Sequence, residues 1–280
     1  MILAVEPVYK VLPVWLRNEI TREQLSELFE VRLRIGQGTE LVGMQGSRWL
    51  NRKITEEDLR FCINVASKYS PWTSVSFYQG FITIEGGHRI GISSCWTTDE
   101  SGRCCMQRIN SLCIRISKDF SGVSGDLCYQ HGSLLIIGGP GSGKTTLLRD
   151  LIRKISTHRG GSICVVDERK EIFPLSGDKI CFPTGMRTDV ISGCPKVKGI
   201  EMAIRCMGPK VIAIDEITAA KDCDAIMEAG WCGVDILATA HASGMSDLRN
   251  RPVYKPILQC GMFKSVVVMK DDKSWYLERM

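Results

Sequence analysis

The sequence predicts an α/β protein in two parts: a smaller amino-terminal α+β domain over residues 1–118, and a domain over 119–280 with a mainly parallel sheet and helices on both faces. Two observations carry this. In the later part, buried-strand and amphipathic-helix patterns alternate, as a parallel sheet requires because each return needs a crossover. In the earlier part, period-two runs and a glycine hairpin dominate. The stretch "KDFSGVSGD" between them has glycine and serine without periodicity, as a linker does.

The first region opens with a short helical stretch whose start Thr21 can cap, with Gln24 three residues on. "EVRLRIG" sets Val31, Leu33 and Ile35 against Arg32 and Arg34, the alternation of a half-buried strand. "TEED", from Thr55, begins a helix with Leu59, Ile63 and Ala66 on one face. "FITIEGGHRIGIS" is a hairpin of two alternating runs joined at Gly86-Gly87, where both turn residues need positive φ. "SLCIRIS", residues 111–117, closes the region.

In the second region "SLLIIGG" is a buried strand, and Lys144 to about His158 a helix with Leu147, Leu148, Leu151 and Ile155 on its apolar stripe. "SICVVDE" is the next strand. After the irregular stretch "FPLSGDKICFPTGMRTDVISGCP" come a helix around Ile200–Met207, the strand "VIAIDEI", a helix from Ala219 to Trp231 with Thr218 as its candidate cap, and the strand "DILATAH". "SVVVMK" and "SWYLERM" form a terminal antiparallel pair.

With 44% hydrophobic and 24% charged residues, the 280-residue chain reads as globular. Lys plus Arg against Asp plus Glu stands at 15 to 14 over residues 1–130 and 21 to 17 over 131–280, so neither half has the basic excess of a nucleic-acid-binding surface. The 13 cysteines include no CxxC pair and no zinc spacing, and Cys104-Cys105 are adjacent; they read as reduced thiols in small apolar sites. The first twenty residues have no basic leader, and no run of about 18 apolar residues spans a membrane, so membrane association is expected only through a partner.

The strongest chemical signal is Gly138-Gly139-Pro140-Gly141-Ser142-Gly143-Lys144-Thr145, followed by Thr146, which satisfies GxxxxGK[ST] between a strand and a helix. In such a P-loop the glycines let backbone N–H groups turn toward phosphates, the lysine meets the β/γ-phosphates, and Thr145 offers its hydroxyl to Mg²⁺. A second metal-side carboxylate is needed at a neighbouring strand end, and Asp215 fits, delivered by Val211, Ile212, Ala213 and Ile214. Glu216 beside it is a candidate base for the attacking water. "VVDERKE" ends in Asp167, Glu168, Arg169, Lys170 and Glu171. It follows the helix after the glycine loop, so its acids are expected at the same sheet edge as water-polarising or metal-shell groups. Spacing does not decide among Glu168, Glu171 and Glu216 as proton acceptor.

His241 ends another apolar strand. A lone histidine there is commonly structural, but a tip beside Asp215 makes it a candidate sensor of γ-phosphate or water. Arg187 in "GMRTD" and Arg205 read as surface residues on their own. An arginine at a subunit edge can also act in trans on transferred phosphate.

The blocks "FITIEGGHRIGIS", "SLCIRIS", "GPGSGKTTLLRDL", "VVDERKEI", "GMRTDVISGCPK", "VIAIDEI" and "ATAHASG", in this order, resemble the stage III sporulation protein AA family of endospore-forming bacteria, relatives of type II/IV secretion ATPases. The resemblance covers nearly the whole chain. It implies a RecA-like P-loop NTPase domain with a smaller amino-terminal α+β domain, ATP and Mg²⁺ as cofactors, and ring-shaped homo-oligomers such as hexamers. It also implies a mother-cell cytoplasmic protein that docks on membrane proteins of the stage III sporulation channel and couples hydrolysis to that channel. "VVDERKE" then resembles an acidic box and "ATAH" a histidine box, while Arg89 and Arg115 become candidates to reach a neighbour's nucleotide. The loop start "GGPGSGK" and Lys170 depart from the family's pattern at positions where no particular side chain is required. Two other readings stay open: a nucleic-acid translocase on the same core, which the small charge excess disfavours, and a nucleotide-gated scaffold with little hydrolysis.

Overall fold

The structure is a computed structural model that describes residues 5–68, 80–98, 104–129, 132–158, 161–176 and 179–280. It contains two compact units, Met1–Lys118 with Leu175–Cys181, and Asp119–Pro174 with Phe182–Met280. The side chains of the Cys104-Cys105 pair lie outside the described residues.

The first unit begins with three one-turn helices, α1 (Glu6–Val11), α2 (Val14–Glu19) and α3 (Arg22–Glu27). Thr21 caps α3 as expected: its Oγ1 accepts from the Gln24 N–H at 3.2 Å, and Gln24 Oε1 accepts from the Thr21 N–H at 3.1 Å. Strands β1 (Leu28–Arg34), β2 (Gly38–Gly43) and β3 (Gly46–Lys53) follow, then α4 (Glu56–Ala66), which starts with the same device between Thr55 and Asp58. β4 (Phe81–Ile84), β5 (His88–Thr98) and β6 (Cys104–Arg115) complete an antiparallel sheet ordered β3-β2-β1-β6-β5-β4. Gly86 and Gly87, at φ 84° and 75°, make the turn between β4 and β5. The helices supply Val8, Leu16, Leu25, Leu59 and Ile63 to a core shared with Val31, Leu33, Ile90 and Ile114 of the sheet.

In the second unit β7 (Ser133–Gly138) leads into α5 (Lys144–His158), and β8 (Ile163–Asp167) follows. The chain next forms a two-residue-per-strand hairpin, β9 (Leu175–Ser176) with β10 (Lys179–Ile180). This hairpin groups with the first unit, where Leu175 shares a cavity with Val11, Val65 and Ile84. β11 (Thr188–Ser192), α6 (Lys196–Met202), β12 (Val211–Ile217), α7 (Ala220–Trp231), β13 (Asp235–His241), α8 (Met245–Asn250), α9 (Lys255–Gln259), β14 (Phe263–Met269) and β15 (Trp275–Arg279) follow. The sheet order is β11-β8-β12-β13-β7-β14-β15, parallel except for β15.

Alternate strand residues feed two cores. On one face Leu147, Leu148, Leu151, Ile152 and Ile155 of α5, each at most 1% exposed, pack on Ile136, Val165, Ala213 and Leu237. Burial of each such side chain stabilises by about 1.5–3 kcal/mol. On the other face Ile200, Ala203 and Ile226 meet Ile137, Val166, Ile214 and Ala238.

Three local expectations need correction. The stretch read as a linker is fastened to α5: Asp150 accepts from the Gly122 and Ser124 N–H groups at 3.0 and 2.9 Å and from the Ser124 hydroxyl at 2.7 Å. The helix expected around Ile200–Met207 begins earlier, at Lys196 after Pro195, and its last part, Ala203–Met207, is a π turn closed by Gly208 in the left-handed region. At α7 the acceptor is Asp222, which takes the Thr218 and Ala219 N–H groups at 3.0 and 3.1 Å; Thr218 itself donates.

Candidate functional site

Because β8, β12, β13 and β7 are parallel neighbours, their carboxyl ends share one edge, and His241 stands directly opposite Gly138. The glycine loop turns there through Gly141 and Gly143, at φ 69° and 100°. A Cβ on Gly138 would stand 2.5 Å from Ser142 Oγ and 2.8 Å from Met269 Cβ, so glycine is needed for close approach. The Ser142 hydroxyl is buried without a hydrogen-bond partner among the described residues. Gly139 and Thr146 are half-buried and Pro140 is exposed along the same loop.

Lys144 folds back over this loop. Its Nζ donates to the Gly138 and Gly139 carbonyls at 3.0 and 2.8 Å and stands 3.3 Å from His241 Nδ1. Burial lowers its pKa from the ordinary lysine value, against the opposing pull of Asp215 and Glu216. An ammonium only donates, so Nδ1 of His241 accepts and the ring hydrogen sits on Nε2, 3.3 Å from Glu216 Oε1. The Thr145 hydroxyl donates to Asp215 Oδ2 at 2.8 Å. Two hard oxygens at that spacing suit Mg²⁺, whose remaining positions phosphate and water oxygens would fill.

Asp215 and Glu216 occupy an irregularity in the β12–β13 register between Ile214 and Ile217, and Glu216 takes φ 49°, rare for a residue with a Cβ. A bulge of this kind re-aims side chains at a strand end. Thr239, buried in β13, holds it: its hydroxyl donates to Asp215 Oδ1 and accepts from the Glu216 N–H at 2.8 Å.

The acidic turn after β8 divides by role. Asp167 is buried and accepts from the Glu171 and Phe173 N–H groups at 2.9 and 2.8 Å. Burial raises its pKa, these backbone donors notwithstanding, and its work is to shape the turn. Glu168 pairs with Lys196 at 2.8 Å, and Arg169 pairs with Glu216. Glu168, Glu171, Asp215, Glu216 and Lys196 line one small cavity.

The candidate arginines are divided between the two units. Arg187 precedes β11 and its carbonyl accepts from the Ile163 N–H at 2.8 Å at the start of β8, so it lies at the opposite sheet edge from the glycine loop. Arg89 and Arg115 are partners across β5 and β6 in the first unit, with Arg89 over the Phe81 ring and Arg115 3.6 Å from Glu30. Arg205 pairs with Glu201 at 3.1 Å on an exposed surface.

Two residues were missed in the sequence. Thr239 interrupts an apolar strand, a signal open to reading. Lys196, only 5% exposed and also 3.8 Å from Asp222, sits in the first helical turn, where the helix dipole disfavours a cation unless acids hold it.

The same fold occurs in solved structures. The ATPase DotB of Legionella pneumophila superposes with TM-score 0.64 at 16% identity, over 96% of this chain and 80% of that one. The pilus retraction motor PilT with bound ADP superposes with TM-score 0.56 at 13% identity, over 89% and 76%. The fold is therefore α/β, a RecA-like domain with a smaller α+β domain, the fold these ATPases share. Within that class the chain belongs to the family described as sporulation stage III, protein AA, whose pattern matches residues 4–275. Stage III sporulation protein AA of Bacillus subtilis (strain 168) is 38% identical over 259 residues, 88% of this chain and 84% of that protein.

Proposed function

We propose that this chain is an ATPase that uses ATP and Mg²⁺ to drive a channel complex assembled during sporulation, working in the mother cell as a ring, such as a homo-hexamer, docked on membrane proteins. The observation that carries the reading is the convergence of Lys144, Thr145, Asp215, Glu216 and His241 at one sheet edge through contacts of 2.8–3.3 Å. No described helix is long and apolar enough to cross a membrane. Family membership supplies the sporulation setting.

Lys144 exchanges its loop carbonyls for β- and γ-phosphate oxygens, which accept more strongly. Thr145 and Asp215 would hold Mg²⁺, which neutralises phosphate charge. Glu216 orients water and takes its proton once Arg169 releases it, and His241 relays the state of the phosphate end to Glu216. Glu168, held by Lys196, shapes the acidic wall, and Glu171 lines it. Arg187, Arg89 and Arg115 are the candidates to act on a neighbour's nucleotide, so specific activity rises with assembly.

Turnover of the assembled protein tests this. Glu216→Gln should lower it at least about 100-fold, and Lys144→Ala should abolish nucleotide binding. Full turnover in Glu216→Gln with loss in Glu168→Gln or Glu171→Gln would move the base. Absence of turnover at every assembly state would refute the enzyme.

A further inference from the structure

Lys144, Asp215, Glu216 and His241 account for one flank of the glycine loop. The other flank carries a cation that this reading does not use. β14 runs parallel to β7 with Val268 opposite Ile137, so the turn after β14 stands at the same sheet edge, on the side of β7 away from β13 and β12. This turn lies against the loop. Met269 Cβ is 2.8 Å from the Cβ position of Gly138, and Met269 Cε is 3.4 Å from that of Gly143. Lys273 Cδ is 3.9 Å from the same Gly143 position, and its Nζ donates to the Gly141 carbonyl. Lys273 adopts φ 69°, and the turn is fixed by Lys270 N–H to the Ser274 carbonyl at 2.9 Å and by Asp272 accepting from the Ser274 N–H and hydroxyl at 2.9 and 2.6 Å. Asp271 Oδ1 stands 4.0 Å from the Cβ position of Gly139, at the loop's start, leaving the Gly141–Gly143 side to the lysine.

A phosphate chain that ends at Asp215 and His241 has its nucleoside end toward this opposite flank. A phosphate oxygen also outcompetes a neutral carbonyl for an ammonium. We propose that Lys273 is a second phosphate-binding lysine of the site, contacting the α- or β-phosphate of a nucleoside di- or triphosphate from the side opposite Asp215. This rests on the reading of the glycine loop as a nucleotide site.

Equilibrium binding of Mg²⁺-ADP and Mg²⁺-ATP to the full chain tests it, with Lys273→Gln, Lys273→Arg and Lys144→Ala variants. Glutamine keeps an N–H donor for the Gly141 carbonyl and loses the charge. The expected result is about tenfold weaker binding of both nucleotides in Lys273→Gln, with Lys273→Arg within about threefold of the parent. Parent-like affinity in Lys273→Gln would show a loop brace only and overturn the assignment. Loss confined to ATP would overturn it too, since that places the lysine at the γ-phosphate. If the parent chain binds nucleotide and Lys144→Ala does not, while Lys273→Gln is unchanged, only the Lys273 assignment falls. If the parent binds neither nucleotide, both readings fall.

Discussion

Replacing Thr239 with valine should damage both stability and catalysis, because one hydroxyl holds two carboxylate-bearing residues. Thr239 is fully buried, donates to Asp215 and accepts from the Glu216 N–H at 2.8 Å. Valine fills nearly the same volume and provides neither function. A backbone N–H left without an acceptor costs about 1–3 kcal/mol, and a hydrogen bond to a charged group contributes about 1.5–3 kcal/mol. Asp215 and Glu216 are only half-buried, so water offsets part of each loss and the lower ends apply, about 2–3 kcal/mol together. The left-handed backbone at Glu216 would lose its nearest restraint, and turnover should fall at least about tenfold through misplacement. Lys144 makes no contact through Thr239, so ADP should bind within about threefold of the parent, a factor well under 1.4 kcal/mol. Urea unfolding, ATP turnover and ADP binding measure the three. Thr239→Ser is the control: it keeps the hydroxyl and gives up one methyl, about 0.8 kcal/mol. A valine variant as stable and active as the parent, or a serine variant as impaired as valine, would refute the reasoning.

Two further outcomes follow from packing and charge. Gly199 lies where α6 meets β8, and a Cβ there would stand 2.3 Å from Val166 Cγ1. Gly199→Ala should therefore destabilise by about 1–3 kcal/mol in urea unfolding, despite alanine's better helix propensity; a stabilised variant would contradict the packing. Asp150 is buried, which alone would raise its pKa, but bonds from Ser124 and Gly122 and the Arg153 charge hold it below the ordinary 3.8. A depressed folded pKa contributes stability that is present above 3.8 and lost as pH falls through the folded value. The stability gap between the parent and Asp150→Asn should thus be full at neutral pH and shrink below about pH 4. A gap that widens on acidification would mean the carboxyl is bound as the neutral acid.

What could be read of the fold was what burial writes into the chain. β7, β8, β12 and β13 are covered on both faces, and continuous apolar runs such as "SLLIIG" announce them. β11, "TDVIS", is an edge strand without such a run and vanished into an irregular stretch. β3 is exposed nearly throughout, so "GSRWLNRK" has no alternation to find. β5 and β6 extend well past the runs read for them because their pairing slips at Ser93/Ser94 and Cys95/Trp96, which breaks the period of two. The cysteines fit small apolar sites only in part: among the described residues Cys62, Cys164 and Cys223 are buried, with burial pushing the thiols of Cys164 and Cys223 up to about 11, whereas Cys95, Cys206, Cys232 and Cys260 are exposed.

The site was legible where side-chain chemistry coincides with a strand end, and illegible where the same side chains choose partners. Asp167 and Glu168 are adjacent acids on one turn, yet one is consumed by the backbone of Glu171 and Phe173 and the other by Lys196, from a helix 28 residues on. Adjacency in sequence cannot distinguish them, because the turn sends consecutive side chains in different directions. Glu216 is the complementary case. Its neighbours along the chain mark it only as an acid after an apolar run, but its contacts reach 25 residues forward to His241 and 47 back to Arg169, and its N–H reaches Thr239. Arg169 and His241 hold opposite oxygens of one carboxylate, which no reading along the chain could have paired. The charge density of "VVDERKE" is thus answered piecewise: Asp167 by the turn's own backbone, Glu168 by a helix lysine and Arg169 by Glu216 of β12.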